Sequence, residues 1–219
     1  RSRIIAGFEI PDGGQILLQG QAMSNGGGWV PAHLRGIGFV PQDGALFPHF
    51  TVAGNIGFGL TGSKREKQRR IEALMEMVAL DRHLAALWPH ELSGGQRQRV
   101  WVAMALAQQT PLLLLDEPTT YLDIAHQIEL LDLFRQLNRE HGQTLIAVLH
   151  DLNHACRYAD HIIAMRDGKI VAEGKPAEII TAELVERVFG MPCMIIDDPL
   201  SHTPLVIPRG RYHCDTPQA

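Results

Sequence analysis

Two carboxylates stand directly after a short apolar run in the second half of the chain. Residues 112–115 are four leucines, and Asp116 and Glu117 follow them. A strand buried on both faces would carry Asp116 to the carboxyl edge of a parallel sheet, where α/β folds bind ligands. One carboxylate there suits a hydrated Mg²⁺, and the next can orient an attacking water. The alternative is a strand end with two solvated acids, and the pair alone does not decide between these interpretations.

A serine–glycine segment precedes the carboxylates by one helix and one strand. Its residues are Ser93, Gly94, Gly95 and Gln96, and 23 positions separate Ser93 from Asp116. A serine at this place can cap the helix that follows. The glycines let backbone N–H groups approach a phosphate, which the positive end of the helix also favours. A glycine-containing helix start without a ligand is the alternative, and the spacing argues against it.

Hydrophobic periodicity predicts the elements that would position these residues. Apolar residues at helical spacing predict a helix over residues 64–79, with Ile71, Leu74, Met75 and Val78 on one stripe. From residue 93 onward helices and strands alternate, which is typical of an α/β fold with parallel strands. The predicted helices are 94–108, 124–140 and one beginning at 151–158, and the predicted strands are 37–40, 112–115 and 144–149. Residues 24–28 are predicted to be a flexible loop, and residues 162–172 a hairpin.

Composition narrows the function classes. Charged residues make up 20% and the formal net charge is −4, so no basic footprint for nucleic acid is present. The basic run at residues 64–70 is interpreted as a solvated helix face. No apolar run reaches the ~20 residues of a membrane span, and no signal peptide is predicted. Three cysteines, Cys156, Cys193 and Cys214, are expected to be reduced thiols in a cytosolic protein.

Five short motifs together resemble the ATPase domain of ABC transporters. They are Gln42 after the first parallel strand, Leu-Ser-Gly-Gly-Gln at 92–96, Leu-Leu-Leu-Leu-Asp-Glu-Pro-Thr at 112–119, Leu-Asp at 122–123, and His150 closing the next strand. The resemblance implies catalytic roles for Glu117, His150 and Gln42, with Asp116 and Gln42 associated with Mg²⁺. It implies that Ser93, Gly94, Gly95, Gln96 and Asp123 contact nucleotide, with Ser93 and Gly95 facing the ATP held by a second copy.

The same resemblance implies cofactors, partners and a location. The cofactors are ATP and Mg²⁺. The partners are a second ATPase copy, integral-membrane permease subunits and, indirectly, a periplasmic or lipoprotein substrate-binding protein, with no nucleic acid. The location is the cytoplasmic face of the cell membrane. The permease is expected to dock on residues 44–59, where Phe47, His49 and Phe50 would otherwise form an exposed apolar patch without a purpose.

One family motif has no counterpart in the sequence. No Gly-x-x-x-x-Gly-Lys-Ser/Thr string occurs, and residues 3–7 match the stretch that usually follows it. The expected fold is therefore an α/β, P-loop NTPase-like ABC ATPase core with a helical subdomain at about residues 50–95, lacking the N-terminal strands and the phosphate-binding loop. A single domain over residues 1–208 and a C-terminal tail over residues 209–219 are expected. The 219-residue chain alone is expected to be inactive.

Two stretches resemble two kinds of iron importer. Residues 3–96 resemble the ATPases of ferric-iron importers, chiefly through residues 35–52, and residues 97–208 resemble those of ferric-siderophore importers, chiefly through residues 117–127. Both resemblances imply a motor subunit for iron(III) uptake. A haem or a cobalamin-like chelate remains an alternative for the transported substrate. The competing hypotheses are a catalytically incompetent fragment and a soluble ABC protein of DNA repair or translation.

The family arrangement also predicts a geometry. Residues 1–45 and 111–174 are expected in one α/β layer. Gln42, Asp116, Glu117 and His150 are expected to converge on one edge of the sheet, with Ser93 well apart in the same chain.

Overall fold

The computed structural model describes residues 2–210, which fall into two compact units that divide between residues 148 and 149. Cys214 and all but the first two residues of the predicted tail at 209–219 lie outside the described residues. Among residues 2–210, no helix is both long and apolar enough to cross a bilayer. The predicted single domain over residues 1–208 stays a prediction.

The first unit begins with a short helix and a small antiparallel sheet. These elements are α1 (Ser2–Ala6), β1 (Ile16–Leu18), β2 (Gln21–Asn25) and β3 (Gly28–Trp29). The predicted flexible loop at residues 24–28 is wrong, because Ser24 pairs with Trp29 and Asn25 with Gly28 across a Gly-Gly turn. The Asn25 side chain accepts a hydrogen bond of 3.2 Å from the Gly27 N–H, which helps to close this two-residue turn.

A buried arginine joins this small sheet to the end of α1. Arg35 is only 5% exposed, and its guanidinium donates to the carbonyls of Ile4 and Ile5 at 3.0 and 2.8 Å. It also donates to the carbonyls of Val30, at 2.7 Å, and Met23, at 3.4 Å. The last carbonyls of a helix lack partners within the helix, so Arg35 satisfies both those groups and the sheet.

A helical layer follows in the chain. It comprises α2 (Val52–Gly57), α3 (Lys64–Met77) and α4 (Gly94–Ala107), with 3₁₀ turns at Arg82–Ala86 and Pro89–Glu91. The predicted helix at 64–79 is confirmed to within two residues. Its stripe packs inward as predicted, since Ile71, Leu74, Met75 and Val78 are all buried. Ser63 and Glu66 form a capping box that starts α3.

The parallel sheet has three strands in the order β4, β5, β6. They are β4 (Ile37–Val40), β5 (Leu112–Leu115) and β6 (Thr144–Ala147), and α5 (Ile124–His141) connects the last two. Ile37 pairs with Leu112, and Leu112 pairs with Thr144. A Cβ on Gly38 would lie 2.5 Å from Leu113 Cδ2, so the close approach of β4 and β5 requires glycine. The predicted α/β layer with parallel strands is confirmed for these elements.

The last strand of this sheet is shorter than predicted. The run at 144–149 forms a strand only as far as Ala147, and β6 is mostly exposed, with Ile146 45% exposed. In the described chain β6 pairs with β5 alone, so it is an edge strand of this sheet. Its apolar side chains therefore remain in contact with water, whereas Leu113, Leu114 and Leu115 are at most 2% exposed.

The second unit has its own small core. Its elements are α6 (Leu152–Tyr158), β7 (Ile162–Arg166), β8 (Lys169–Gly174), α7 (Pro176–Ile179), α8 (Ala182–Phe189), β9 (Cys193–Asp197) and β10 (Pro204–Pro208). The predicted hairpin at 162–172 is confirmed as β7 and β8, whereas strands β9 and β10 were not predicted. Buried Cys156, Val185, Cys193 and Val206 form the centre of the core. Burial, helped by the charge of Asp151, raises the pKa of the Cys156 thiol to about 11.

Candidate functional site

Asp116 lies at the carboxyl edge of the parallel sheet. The backbone ladder continues past β5, because the Asp116 N–H donates to the Val40 carbonyl and the Val148 N–H donates to the Leu115 carbonyl, both at 2.9 Å. Asp116 is half-buried, and its Oδ1 accepts a 2.8 Å hydrogen bond from the Ser2 hydroxyl at the start of α1. Sequence reasoning missed Ser2, since nothing in the sequence links residues 114 positions apart.

Glu117 occupies a backbone conformation that is rare for its residue type. Its φ is +50°, and the following turn closes with a 3.2 Å bond from the Thr120 N–H to the Glu117 carbonyl. The Thr120 hydroxyl donates to Glu117 Oε2 at 3.4 Å. A non-glycine residue in this region costs on the order of 1 kcal/mol and is over-represented at functional sites. The turn therefore sets the direction of Glu117 directly beside Asp116.

Gln42 leaves the same edge of the sheet from the neighbouring strand. It is half-buried and follows Val40, the last residue of β4, by two positions. Gly44 then brings the chain against α4 with φ at +46°, where a Cβ would lie 3.0 Å from Gln98 Oε1 and 3.2 Å from Trp101 Cδ1. The segment after Gln42 thus packs closely on the helix that begins at Ser93.

Ser93 caps α4 as the sequence predicts. Its hydroxyl accepts from the Gln96 N–H at 3.2 Å, and Gln96 Oε1 accepts from the Ser93 N–H at 2.9 Å. Ser93 and Gly94 are exposed and Gly95 is partly exposed. The positive end of a 14-residue helix is therefore open to solvent next to two glycines. This arrangement favours an anion such as a phosphate.

Asp123 caps α5 and lies beside this helix start. Its Oδ1 accepts from the His126 N–H at 2.9 Å and pairs with His126 Nδ1 at 2.7 Å. These two hydrogen bonds hold the pKa of the Asp123 carboxyl below its ordinary value. The His126 ring approaches the other helix, because a Cβ on Gly95 would lie 3.0 Å from His126 Cδ2. His126 was missed, although its place three residues after a capping aspartate is a recognisable signal.

The structure places most of the predicted site residues in two groups. Asp116, Glu117 and Gln42 follow neighbouring strands at one sheet edge, and residues 93–96 adjoin the segment of Asp123. His150 is exposed and belongs to the second unit, so its convergence with the others stays a prediction. The separation of Ser93 from Glu117 also stays a prediction.

The donor set at the sheet edge fits Mg²⁺. Within residues 2–210 no group of three or more His, Cys, Asp or Glu side chains could hold a metal ion. Asp116 offers a carboxylate at this edge, and the Ser2 hydroxyl is bonded to it. Magnesium in nucleotide sites commonly takes one or two carboxylates and fills its shell with phosphate oxygens and water.

A buried asparagine shapes the segment expected to dock a permease. Asn55 is 1% exposed; its Oδ1 accepts from the Phe47 N–H at 2.8 Å, and its Nδ2 lies 3.0–3.1 Å from the carbonyls of Phe47, Phe50 and Thr51. The rings of Phe47, His49, Phe50 and Phe58 form an aromatic cluster, with Phe47 and Phe58 centroids 4.7 Å apart.

The expected exposure of this cluster is only partly correct. His49 is exposed, but Phe47 and Phe50 are half-buried because they pack on each other. Phe58, which was not among the predicted residues, is 62% exposed.

Known relatives identify the family. Residues 2–120 match the family model described as ABC transporter. The Fe(3+) ions import ATP-binding protein FbpC of Serratia marcescens is 67% identical over 177 residues, 81% of this chain and 51% of that protein. The ferric enterobactin transport ATP-binding protein FepC of Escherichia coli (strain K12) is 48% identical over 216 residues, 95% of this chain and 79% of that protein. The chain thus spans about half the length of the FbpC relatives it matches.

Solved structures support the same assignment. The dimeric ATP-binding cassette MJ0796, bound to ADP and Pi after hydrolysis, superposes with a TM-score of 0.69 and 32% identity over 80% of this chain and 78% of that one. The structure of cbiO1 from Clostridium perfringens, part of the ABC transporter complex cbiONQ, superposes with a TM-score of 0.70 and 26% sequence identity. This match covers 84% of this chain and 75% of that one. These likenesses confirm the predicted α/β ABC ATPase fold. The chain belongs to the ABC transporter ATPase family.

Proposed function

We propose that this chain is the ATP-hydrolysing motor subunit of an importer for iron(III) or a ferric siderophore. The observation that carries the proposal is the sheet edge where Asp116 and Glu117 leave β5 side by side, one hydrogen-bonded to Ser2 and the other set by a strained turn. The names of the FbpC and FepC relatives support the iron(III) substrate. The site supports ATP hydrolysis more directly than it supports any particular cargo.

Each residue at the site has a role in this proposal. Asp116 would hold Mg²⁺, which neutralises the phosphate charge of ATP when bound. Glu117 would orient the attacking water and accept its proton, with Gln42 and His150 beside the γ-phosphate. A carboxylate performs this role because its charge polarises the water in a site from which bulk solvent is excluded.

A second copy completes the proposed site. Ser93, Gly94, Gly95 and Gln96 present an open helix start that would bind the ATP held by the partner copy. The His126 ring lies against Gly95 and is held by Asp123, so the two residues would position this segment against the opposite nucleotide. The dimeric ATP-binding cassette among the similar structures supports this arrangement.

The membrane-embedded partner would be a permease, which the ATPase would serve from the cytoplasmic face. Its docking surface would be residues 44–59, where Asn55 holds the aromatic cluster in place. A periplasmic or lipoprotein substrate-binding protein would act on the other side of the membrane. Co-purification with permeases of the ferric-iron and siderophore types tests this choice. Retention of both complexes by Phe47→Asp would contradict the docking surface.

ATP binding by the 219 residues alone is expected to be very weak. They contain no Gly-x-x-x-x-Gly-Lys string, whose backbone N–H groups and lysine cradle the phosphates. Hydrogen bonds to charged groups contribute about 1.5–3 kcal/mol each, so lacking three costs on the order of 5 kcal/mol. That is more than roughly a thousandfold in affinity. Calorimetry with Mg-ATP is the test, and a dissociation constant below about 100 μM would contradict this reasoning.

A further inference from the structure

The first two turns of α3 carry an unusual concentration of positive charge. Lys64, Arg65, Lys67, Arg69 and Arg70, called here the basic segment, fall within seven consecutive residues of a chain whose net charge is −4. None of the five forms an ion pair with any residue from 2 to 210. Five unpaired cations this close together repel one another, which is unfavourable for folding.

The direction of the helix makes this arrangement less favourable still. The start of a helix bears partial positive charge and is stabilised by acidic side chains. The only acid within the segment is Glu66, and it is engaged by Ser63, whose N–H and hydroxyl donate to it at 2.7 and 2.6 Å. Glu72, one turn later, accepts from Gln68. The basic segment and the helix start therefore generate an attraction for anions that the described chain does not neutralise.

The five cations occupy two neighbouring surfaces. Lys64, Arg65 and Arg69 line one shallow depression on the outer side of α3. Lys67 and Arg70 line a cleft of about 450 Å³ formed with residues 59–62 and 107–109 and with Glu66, whose carboxylate is engaged by Ser63. Both side chains are partly exposed. They bring two cationic groups to one cleft, and such groups suit a phosphate oxygen.

Aromatic residues lie in the same helical layer. Helices α2 and α3 touch, since a Cβ on Gly57 would lie 2.9 Å from Ile71 Cδ1. Directly after α2 comes Phe58, 62% exposed, whose ring belongs to the aromatic cluster. Basic side chains beside exposed aromatic rings are the composition of surfaces that rest on anionic bilayers. The exposed ring of Phe58 favours a bilayer surface over a nucleic-acid duplex.

We propose that the basic segment binds the phosphate headgroups of anionic phospholipids directly. The outer surface of Lys64, Arg65 and Arg69 would lie on the bilayer, and Lys67 with Arg70 would take one headgroup phosphate into the cleft. This contact is additional to the proposed permease docking and needs no permease. It would hold the helical layer at the membrane and limit how the docking segment approaches its partner.

Vesicle sedimentation tests the proposal on the 219-residue chain. The vesicles are phosphatidylcholine alone, or phosphatidylcholine with about one third phosphatidylglycerol, at low salt and at roughly 0.5 M salt, where charge screening is strong. Binding only to the anionic vesicles, and its loss at high salt, is expected. Each basic side chain near such a surface strengthens binding about fivefold. The triple variant Lys64→Gln/Arg65→Gln/Arg69→Gln should therefore bind about a hundredfold more weakly.

The matched control changes the same net charge elsewhere. Lys169, Lys175 and Arg187 are exposed residues of the second unit, and their triple replacement by Gln should leave vesicle binding within about twofold. An equal loss in the control would overturn the proposal in favour of unspecific attraction, and no binding to anionic vesicles would overturn it outright. Release of the protein from the vesicles by ~10 mM free phosphate would indicate a site for inorganic anions. Tighter binding to a DNA duplex than to the vesicles would indicate a nucleic-acid site. Either result also contradicts the proposal. Permease co-purification is a separate assay, so the two proposals fail independently.

Discussion

Replacing Asn55 by Asp changes one atom in the side chain that shapes the docking segment. In Asn55→Asp, Oδ1 still accepts from the Phe47 N–H, but an oxygen replaces the Nδ2 that faces three carbonyls at 3.0–3.1 Å. The variant lacks the two amide hydrogens, and the loss of each hydrogen bond lowers the free energy of unfolding by about 1 kcal/mol. A carboxylate then faces carbonyl oxygens at a residue that is 1% exposed, which adds at least another 2 kcal/mol or so.

The expected cost is thus about 4 kcal/mol, and for a chain of this size it should lower the Tm by roughly 10 °C. Calorimetric or fluorescence melting at pH 7 measures it, and amide exchange should increase at Phe47, whose N–H is bonded to Asn55. The matched control is Asn25→Asp, an exposed side chain whose only described bond is accepted by Oδ1 and survives the change. A Tm for Asn55→Asp within about 2 °C of the parent would refute the reasoning.

Three further predictions concern the buried side chains of Arg35, Cys156 and Asp198. Arg35→Met should cost about 3 kcal/mol in urea titrations, because it leaves the carbonyls of Ile5 and Val30 without their described donor and removes one of two donors from those of Ile4 and Met23. Arg35→Lys should not restore this stability, and full retention of stability in either variant would contradict the role of Arg35. Cys156 should resist iodoacetamide in the folded protein until the pH nears about 11, and rapid labelling at pH 8 would contradict its burial. Bonds from Arg157 and from two backbone N–H groups hold the pKa of Asp198 well below its ordinary value. A carboxyl whose pKa is depressed in the folded state stabilises the fold at pH values above its ordinary pKa of about 4, and this stabilisation is lost as the pH falls further. Asp198→Asn should therefore lower the Tm at pH 7, and the Tm of the variant should approach that of the parent in strong acid.

Periodicity and capping made the central elements predictable from the sequence. Four consecutive leucines mark β5, and its bounds agree with the prediction. Ser93 and Asp123 are the caps at which α4 and α5 begin, and Gly142 ends α5 in a left-handed conformation. Each of these signals is local, because the residue and the group it satisfies lie within a few positions of each other.

The features that were missed depend on distant contacts. The bond between Ser2 and Asp116 and the four bonds of Arg35 join segments with no local pattern in common. Exposure of β6 depends on its having one neighbouring strand in the described sheet, and an apolar run cannot report how many neighbours it has. The hairpin of β2 and β3 is different, since its Gly-Gly turn was a local signal that was read as flexibility.

ATP turnover tests the central proposal most directly, in the chain preceded by a grafted Gly-x-x-x-x-Gly-Lys-Thr segment from a relative. Parent and Glu117→Gln are compared, since glutamine keeps the shape of Glu117 and removes the charge that would polarise water. The proposal predicts that both proteins bind Mg-ATP and that turnover in Glu117→Gln falls by at least about a hundredfold. Turnover within tenfold of the parent would contradict the assignment of Glu117 as the residue that activates water.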